Sequence, residues 1–143
     1  MRHAYYLGAN DPYESLKIIG KHPKRGSGLR TLENTLLEGR EKEAIEEAVV
    51  ILKERWELQA AVLFGSKARG DDDRYSDLDL LLITGQPLHW KEEKAVVGLL
   101  FEIGIKHGVI FSPLFVSSEE WNGGQFTEFP VYKEINRDGA MIA

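Results

Sequence analysis

Ala60-Ala61-Val62-Leu63-Phe64-Gly65-Ser66-Lys67-Ala68-Arg69-Gly70, the polar arc Asp71-Asp72-Asp73-Arg74-Tyr75-Ser76, and Asp77-Leu78-Asp79-Leu80-Leu81-Leu82-Ile83 form the stretch whose reading decides the fold. The first five residues are a short apolar run closed by Gly-Ser, the pattern of a buried strand that ends in a tight turn. The last seven enter a second apolar strand. Side chains alternate along a strand, so Asp77 and Asp79 point one way while Leu78 and Leu80 point into a core. Two carboxylates are therefore expected side by side.

Holding them there costs roughly 1 to 3 kcal/mol at a separation of about 6 Å unless a positive charge lies between them. An isolated Asp-x-Asp reads first as a solvated strand edge. This pair sits in an otherwise apolar strand and follows a Gly-Ser turn with Lys67 and Arg69 close behind. Carboxylates on one side, with backbone amides and cations on the other, make a place for a divalent metal and a polyphosphate.

Gly-Ser-x-Ala-Arg-Gly and Ser-Asp-x-Asp-Leu, with ten residues between Ser66 and Asp77, resemble the minimal nucleotidyltransferase signature of the DNA polymerase β-like superfamily. The resemblance is tightest over residues 62–83, extends over 41–139 and leaves the first forty residues uncovered. It implies transfer of a nucleoside monophosphate from an NTP, with ATP expected, to an acceptor hydroxyl, with release of pyrophosphate and with Mg²⁺ or Mn²⁺ assisting. On this reading Asp77 and Asp79 are the catalytic, metal-holding pair, and Gly65, Ser66, Lys67, Arg69 and Ser76 form the nucleotide-binding turn. Gly65 lets the backbone approach a phosphate, and Ser66 is expected to cap the following short helix and donate its hydroxyl to a phosphate oxygen. One of Lys67 and Arg69 is expected to face the triphosphate and the other to be structural. Ser76 is expected chiefly to support the turn by bonding backbone. The resemblance also implies a partner, a helical HEPN-type protein toward which the chain acts as an antitoxin, and leaves homo-oligomerisation open.

Working outward, Ala44, Ile45, Ala48, Val49, Ile51, Leu52 and Trp56 follow helical spacing, an amphipathic helix beginning near Glu41. A second helix is expected between Leu88 and His107, with Gly98 and Gly104 each weakening it by about 1 kcal/mol and Gly108 ending it. Val109 to Val116 reads as a third strand, and Pro113 makes it an edge strand or a bulge. Ser117 and Glu120 form a capping-box pattern, Pro130 suits the first position of a last helix ending at Gly139, and residues 140–143 add a short strand or fray. The expected architecture is a single α/β (α+β) domain over residues 39–143. Its small mixed sheet carries the two long helices on one face and leaves the Gly-Ser turn open on the other. Residues 1–38 form an extension with a turn at 10–12, a short helix at 13–19 and a basic loop at 21–28, read as a solvated linker in preference to a phosphate-contacting arm.

The 143 residues suit one domain, and 43% hydrophobic with 29% charged residues is an ordinary globular balance. With no cysteine, thiolate metal sites and disulfides are excluded, and with no apolar span of membrane length the chain is expected in the cytoplasm. The net charge of -5 argues against strong nucleic-acid binding. Residues 1–40 hold seven Lys/Arg against four Asp/Glu, so the acidic remainder contains the candidate site, and a nucleotide arriving there brings its metal with it. His3, His22, His89 and His107 lack metal-ligand spacing. Trp56, Trp90 and Trp121 read as packing residues.

One position departs from the active pattern. Active family members carry a third carboxylate on the next core strand, yet no Asp or Glu occurs from Ile103 through Ser118, and the third strand offers only the hydroxyl of Ser112. A serine binds Mg²⁺ weakly and is no base at neutral pH. The leading reading is an active nucleotidyltransferase completed by water or substrate. The alternative is a nucleotide- or partner-binding module on the same fold, and a metal-dependent hydrolase comes third.

Overall fold

The computed structural model describes residues 37–70 and 76–142 and the backbone of residues 30–31. The expected turn, helix and basic loop of the first 29 residues lie outside the described residues, as does Asp71-Asp72-Asp73. In chain order the elements are β1 (Arg30–Thr31), α1 (Gly39–Trp56), β2 (Leu58–Phe64), α2 (Gly65–Arg69), β3 (Leu78–Thr84), α3 (Trp90–His107), β4 (Phe111–Ser117), α4 (Ser118–Gly123), a 3-10 turn (Gln125–Glu128), α5 (Pro130–Asp138) and β5 (Ala140–Met141).

β3 is apolar at almost every position because it is buried on both sides within a sheet of order β1-β5-β2-β3-β4. It pairs antiparallel with β2 and parallel with β4, and β5 pairs antiparallel with β2 and parallel with β1. The parallel step needs a crossover, and α3 supplies it. Pro113 lies in β4, which is the edge strand its missing N–H predicts.

Alternation along the strands divides the interior in two. Ala61, Leu63, Leu78, Leu80 and Leu82 meet Ala44, Ile45, Ala48 and Leu52 of α1 and Val96, Leu100 and Ile103 of α3 on one face. Ala60, Val62, Leu81, Ile83 and Val116 meet Trp121 and Ile135 on the other. The two long helices thus share a face, as their apolar stripes predict, and the short C-terminal helices cover part of the second face.

The terminators read from the sequence are in place. Gly108 ends α3 with φ 72, the left-handed conformation that glycine adopts without penalty. Pro130 opens α5, and the N–H of Gly139 closes it by donating to the Ile135 carbonyl at 2.8 Å. Ser117 accepts from the Glu120 N–H at 3.2 Å while Glu120 accepts from the Ser117 N–H at 2.9 Å, completing the capping box of α4. Glu41 does similar service for α1 by accepting from the Glu38 N–H at 2.8 Å.

Candidate active site

Strand register decides which groups meet. Asp79 lies opposite Phe64, the last residue of β2, and opposite Ser112 of β4. It shares a face with Leu81 and Ile83, the face away from the two long helices. Asp77 immediately precedes β3 and is exposed, while Ser76 ahead of it is half-buried.

The Gly-Ser turn folds back onto this carboxylate. Gly65 has φ 75, and a Cβ added to it would lie 2.2 Å from Asp79 Oδ2. Glycine is therefore required twice over, by its backbone conformation and by the carboxylate lying against its Cα. The sequence predicts a close backbone approach at Gly65, and the group that approaches is Asp79 itself.

Ser66 departs from expectation in one respect. The residue that caps α2 is Phe64, in extended conformation, and Ser66 is the second residue within the helix, its carbonyl accepting from the Gly70 N–H at 2.9 Å. Ser66 does not cap α2, because the left-handed Gly65 already starts the helix one residue earlier.

The two cations separate sharply. Lys67 points inward, and its Nζ lies 2.6 Å from Glu41 Oε2, with both side chains only 4% exposed. Lys67 thus has its ammonium held inside the fold rather than at the surface of the turn. It is the structural cation of the pair, tying α2 to α1. Arg69 is the outward one, with Nη1 3.2 Å from Glu134 Oε2 of α5 at a pair about one-third exposed.

Glu134 is the residue the sequence reading missed. It couples electrostatically to Asp79, whose carboxyl is held above its ordinary pKa by burial, then by the neighbouring charge of Asp77 and then by that of Glu134. A hydrogen bond from Ser112 and the charge of Arg69 act in the opposite direction. No spacing rule joins Glu134 to Asp79, and the only available signal is that it precedes the buried Ile135 on the expected last helix. Ser112, the one hydroxyl the third strand offers, lies opposite Asp79 and acts as its hydrogen-bond partner.

Among the described residues no three His, Cys, Asp or Glu side chains lie close enough to hold a metal by themselves. Asp77 and Asp79 nonetheless suit an ion that arrives with its nucleotide. Mg²⁺ is ordinarily held by one or two carboxylates with phosphate oxygens and water completing its shell, and burial beside like charges disfavours the bare Asp79 carboxylate. A divalent cation held between the two carboxylates would relieve that repulsion. Of the described histidines, His89 caps α3 by accepting from the Lys91 N–H and His107 pairs with Glu47. Trp121 is fully buried against Tyr132 and Phe126, whereas Trp90 is exposed. None of the described helices is long and apolar enough to cross a membrane.

Comparison with known proteins gives a consistent result. A family model described as "Nucleotidyltransferase domain" matches residues 45–107, from the middle of α1 to the end of α3. Two proteins of Methanocaldococcus jannaschii carry the name "Putative protein adenylyltransferase", MJ0141 and MJ0604. The first is 33% identical over 73 residues, covering 51% of this chain and 72% of its own length. The second is 32% identical over 84 residues, covering 57% of this chain and 79% of its own length.

Proposed function

The chain belongs to the nucleotidyltransferase family, and we propose that it uses Mg²⁺-ATP to transfer AMP to an acceptor hydroxyl, releasing pyrophosphate. The observation that supports this reading is the contact of Gly65 with the Asp79 carboxylate, which brings the Gly-Ser turn and the second aspartate of the pair to one point. The names of the two archaeal relatives favour ATP as donor and a protein as acceptor.

Each residue has a distinct task. Asp77 and Asp79 would hold Mg²⁺, or Mn²⁺ in its place, and the ion supplies charge neutralisation at the phosphates. Gly65 and Ser66 lie against the triphosphate, and Ser76 supports the chain entering Asp77. Arg69 exchanges Glu134 for a phosphate oxygen when nucleotide binds. The acceptor oxygen attacks the α-phosphorus, the bond from that phosphorus to the bridging oxygen of pyrophosphate breaks, and Glu134, released from Arg69, takes the acceptor's proton. This assigns to α5 a carboxylate that β4 lacks. Positioning and charge compensation supply most of phosphoryl-transfer catalysis, which suits a domain this small.

The reaction is proposed for the cytoplasm, where ATP is supplied. A HEPN-type protein as acceptor or partner, with the chain as its antitoxin, rests on the family resemblance. A second reading is favoured by Ser112, which gives Asp79 a hydrogen bond where a third metal-binding carboxylate would stand. On that reading the domain binds nucleotide or a partner and catalyses little.

Calorimetric titration of ATP, with and without Mg²⁺, into the wild-type chain and into Asp77→Asn tests the proposal, with pyrophosphate release measured on the same samples. Mg²⁺-dependent binding lost in the variant, with pyrophosphate released when acceptor is added, is the expected result. Binding without pyrophosphate release in the presence of candidate acceptor proteins selects the binding module. A folded wild-type chain that binds no nucleotide overturns both nucleotide readings.

A further inference from the structure

α3 has two apolar faces, and the fold uses one. Val96, Leu100, Ile103 and Gly104 are buried on the inner face. On the outer face Trp90, Val97, Phe101 and Ile105 follow one another at helical spacing, and Ile110 beyond the helix end continues the stripe. These five side chains are between 47 and 68% exposed. With the edge of β4, Val97, Phe101, Ile105 and Ile110 line a groove of about 450 Å³ that includes Phe111 and Pro113. Taking full areas of about 150 to 250 Å² for side chains of this size, the stripe leaves roughly 600 Å² of apolar surface exposed, the upper end for a soluble monomer and close to the 800 Å² per partner of a standard interface.

Gly98 adds an independent observation. It lies in the middle of an 18-residue helix, where glycine costs about 1 kcal/mol relative to alanine. Gly104 in the same helix is explained within the chain, since a Cβ there would lie 2.5 Å from the Val109 carbonyl oxygen. A Cβ on Gly98 would meet nothing within 4 Å. Nothing among the described residues requires Gly98 to be small, and its position beside the stripe is where a crossing helix would come closest.

The charges flanking the stripe fit one kind of partner. Lys94 lies four residues before Gly98 and Glu102 four residues after it, both exposed. A two-fold axis through Gly98 lays a second α3 antiparallel on the first. It brings Lys94 of each copy to Glu102 of the other, Trp90 to the turn that holds Ile105 and Lys106, and the two Gly98 backbones together at the crossing. One patch thus complements itself in apolar pattern, charge and shape, the condition for an isologous interface. We propose that the protein forms a two-fold dimer by antiparallel packing of α3 against α3 of a second copy. Phe111 and Pro113 alternate with Ser112 along β4, so the dimer covers the face opposite Asp79 and leaves the candidate active site open. The inference is independent of the proposed activity.

The absence of native cysteine makes the test clean. Light scattering coupled to size exclusion, at micromolar concentrations, is expected to give twice the chain mass of 16.2 kDa for the wild type. It is expected to give the single-chain mass for Phe101→Glu, with the two far-ultraviolet circular dichroism spectra superimposing. Val97→Cys, next to the axis, is expected to form a disulfide-linked dimer under mild oxidation. Val50→Cys, similarly exposed but on α1 and outside the stripe, is expected not to do so. A wild-type monomer overturns the proposal, including one whose stripe is protected from hydrogen exchange by the chain's own leading residues. So does a dimer that survives Phe101→Glu, or one in which Val97→Cys fails to cross-link.

Discussion

Replacing Lys67 by methionine separates a structural cation from a substrate-binding one. The change keeps most of the side-chain volume and removes the ammonium that lies 2.6 Å from Glu41 Oε2, where both side chains are 4% exposed. Glu41 still accepts from the Glu38 N–H, but its charge is left buried without a counterion. Removing one member of a buried pair in this way costs about 3 to 5 kcal/mol, a large part of the roughly 5 to 15 kcal/mol that a domain of this size has in total. For a chain between the size classes where 1 kcal/mol shifts Tm by 2 to 8 °C, the expected fall in Tm is about 10 to 20 °C. Urea unfolding is the assay, followed by fluorescence of the fully buried Trp121 and extrapolated to water. Glu41→Gln in the Lys67→Met background removes the stranded charge while keeping an acceptor for Glu38. The double variant is therefore expected to be more stable than Lys67→Met alone, with a coupling of about 2 kcal/mol. Two results refute the reasoning: a loss below about 1 kcal/mol in the single variant, or a double variant whose loss is the sum of the two singles. Unchanged stability with nucleotide binding abolished would return Lys67 to the phosphates.

Asp79→Asn is expected to stabilise the nucleotide-free domain at neutral pH, by up to about 1 kcal/mol after solvent screening of the removed repulsion. Because the folded-state pKa of Asp79 is raised, wild-type stability falls as pH rises through that value; below the ordinary 3.8 the carboxyl is protonated in both states and the two proteins converge, which thermal melts from acid to neutral pH will show. Gly65→Ala forces a Cβ onto Asp79 Oδ2 at a left-handed position, and is expected to cost about 1 to 3 kcal/mol of stability and to abolish Mg²⁺-ATP binding, read by melting and calorimetry.

The elements were legible where local chemistry decides them. Helical spacing over residues 44–56 gave α1, Pro113 gave the edge position of β4, Ser117 with Glu120 gave the start of α4, and Pro130 with Gly139 bracketed α5. The acidic pair and the turn that meets it were legible too, because strand alternation and a compound spacing are both properties of the sequence. The direction of Lys67 was not. Lys67 and Arg69 are two residues apart in a helix of five, and which one turns inward depends on Glu41, a residue of α1 brought near only by tertiary packing. The place of Glu134 was hidden for the same reason, since its partner Arg69 lies 65 residues earlier in the chain. Gly98 read as a weak point in a helix, and only its open surroundings distinguish it from Gly104, which must be small.

The inward turn of Lys67 has a consequence for the charge at the site. With its ammonium committed to Glu41, the carboxylates of Asp77, Asp79 and Glu134 are met on the outside by Arg69. Among the described residues an excess of negative charge remains, and it repels a free triphosphate. In the proposed reaction the same excess favours a triphosphate whose charge is partly cancelled by a divalent ion, because the ion then lies between two sets of oxygens that otherwise repel each other. Had both cations faced outward, the turn would bind phosphate without a metal and would hold pyrophosphate after transfer. In the proposed reaction, burying one cation would make nucleotide binding conditional on the ion and would leave Arg69, exchanging Glu134 for phosphate, as the side chain that lets the product go.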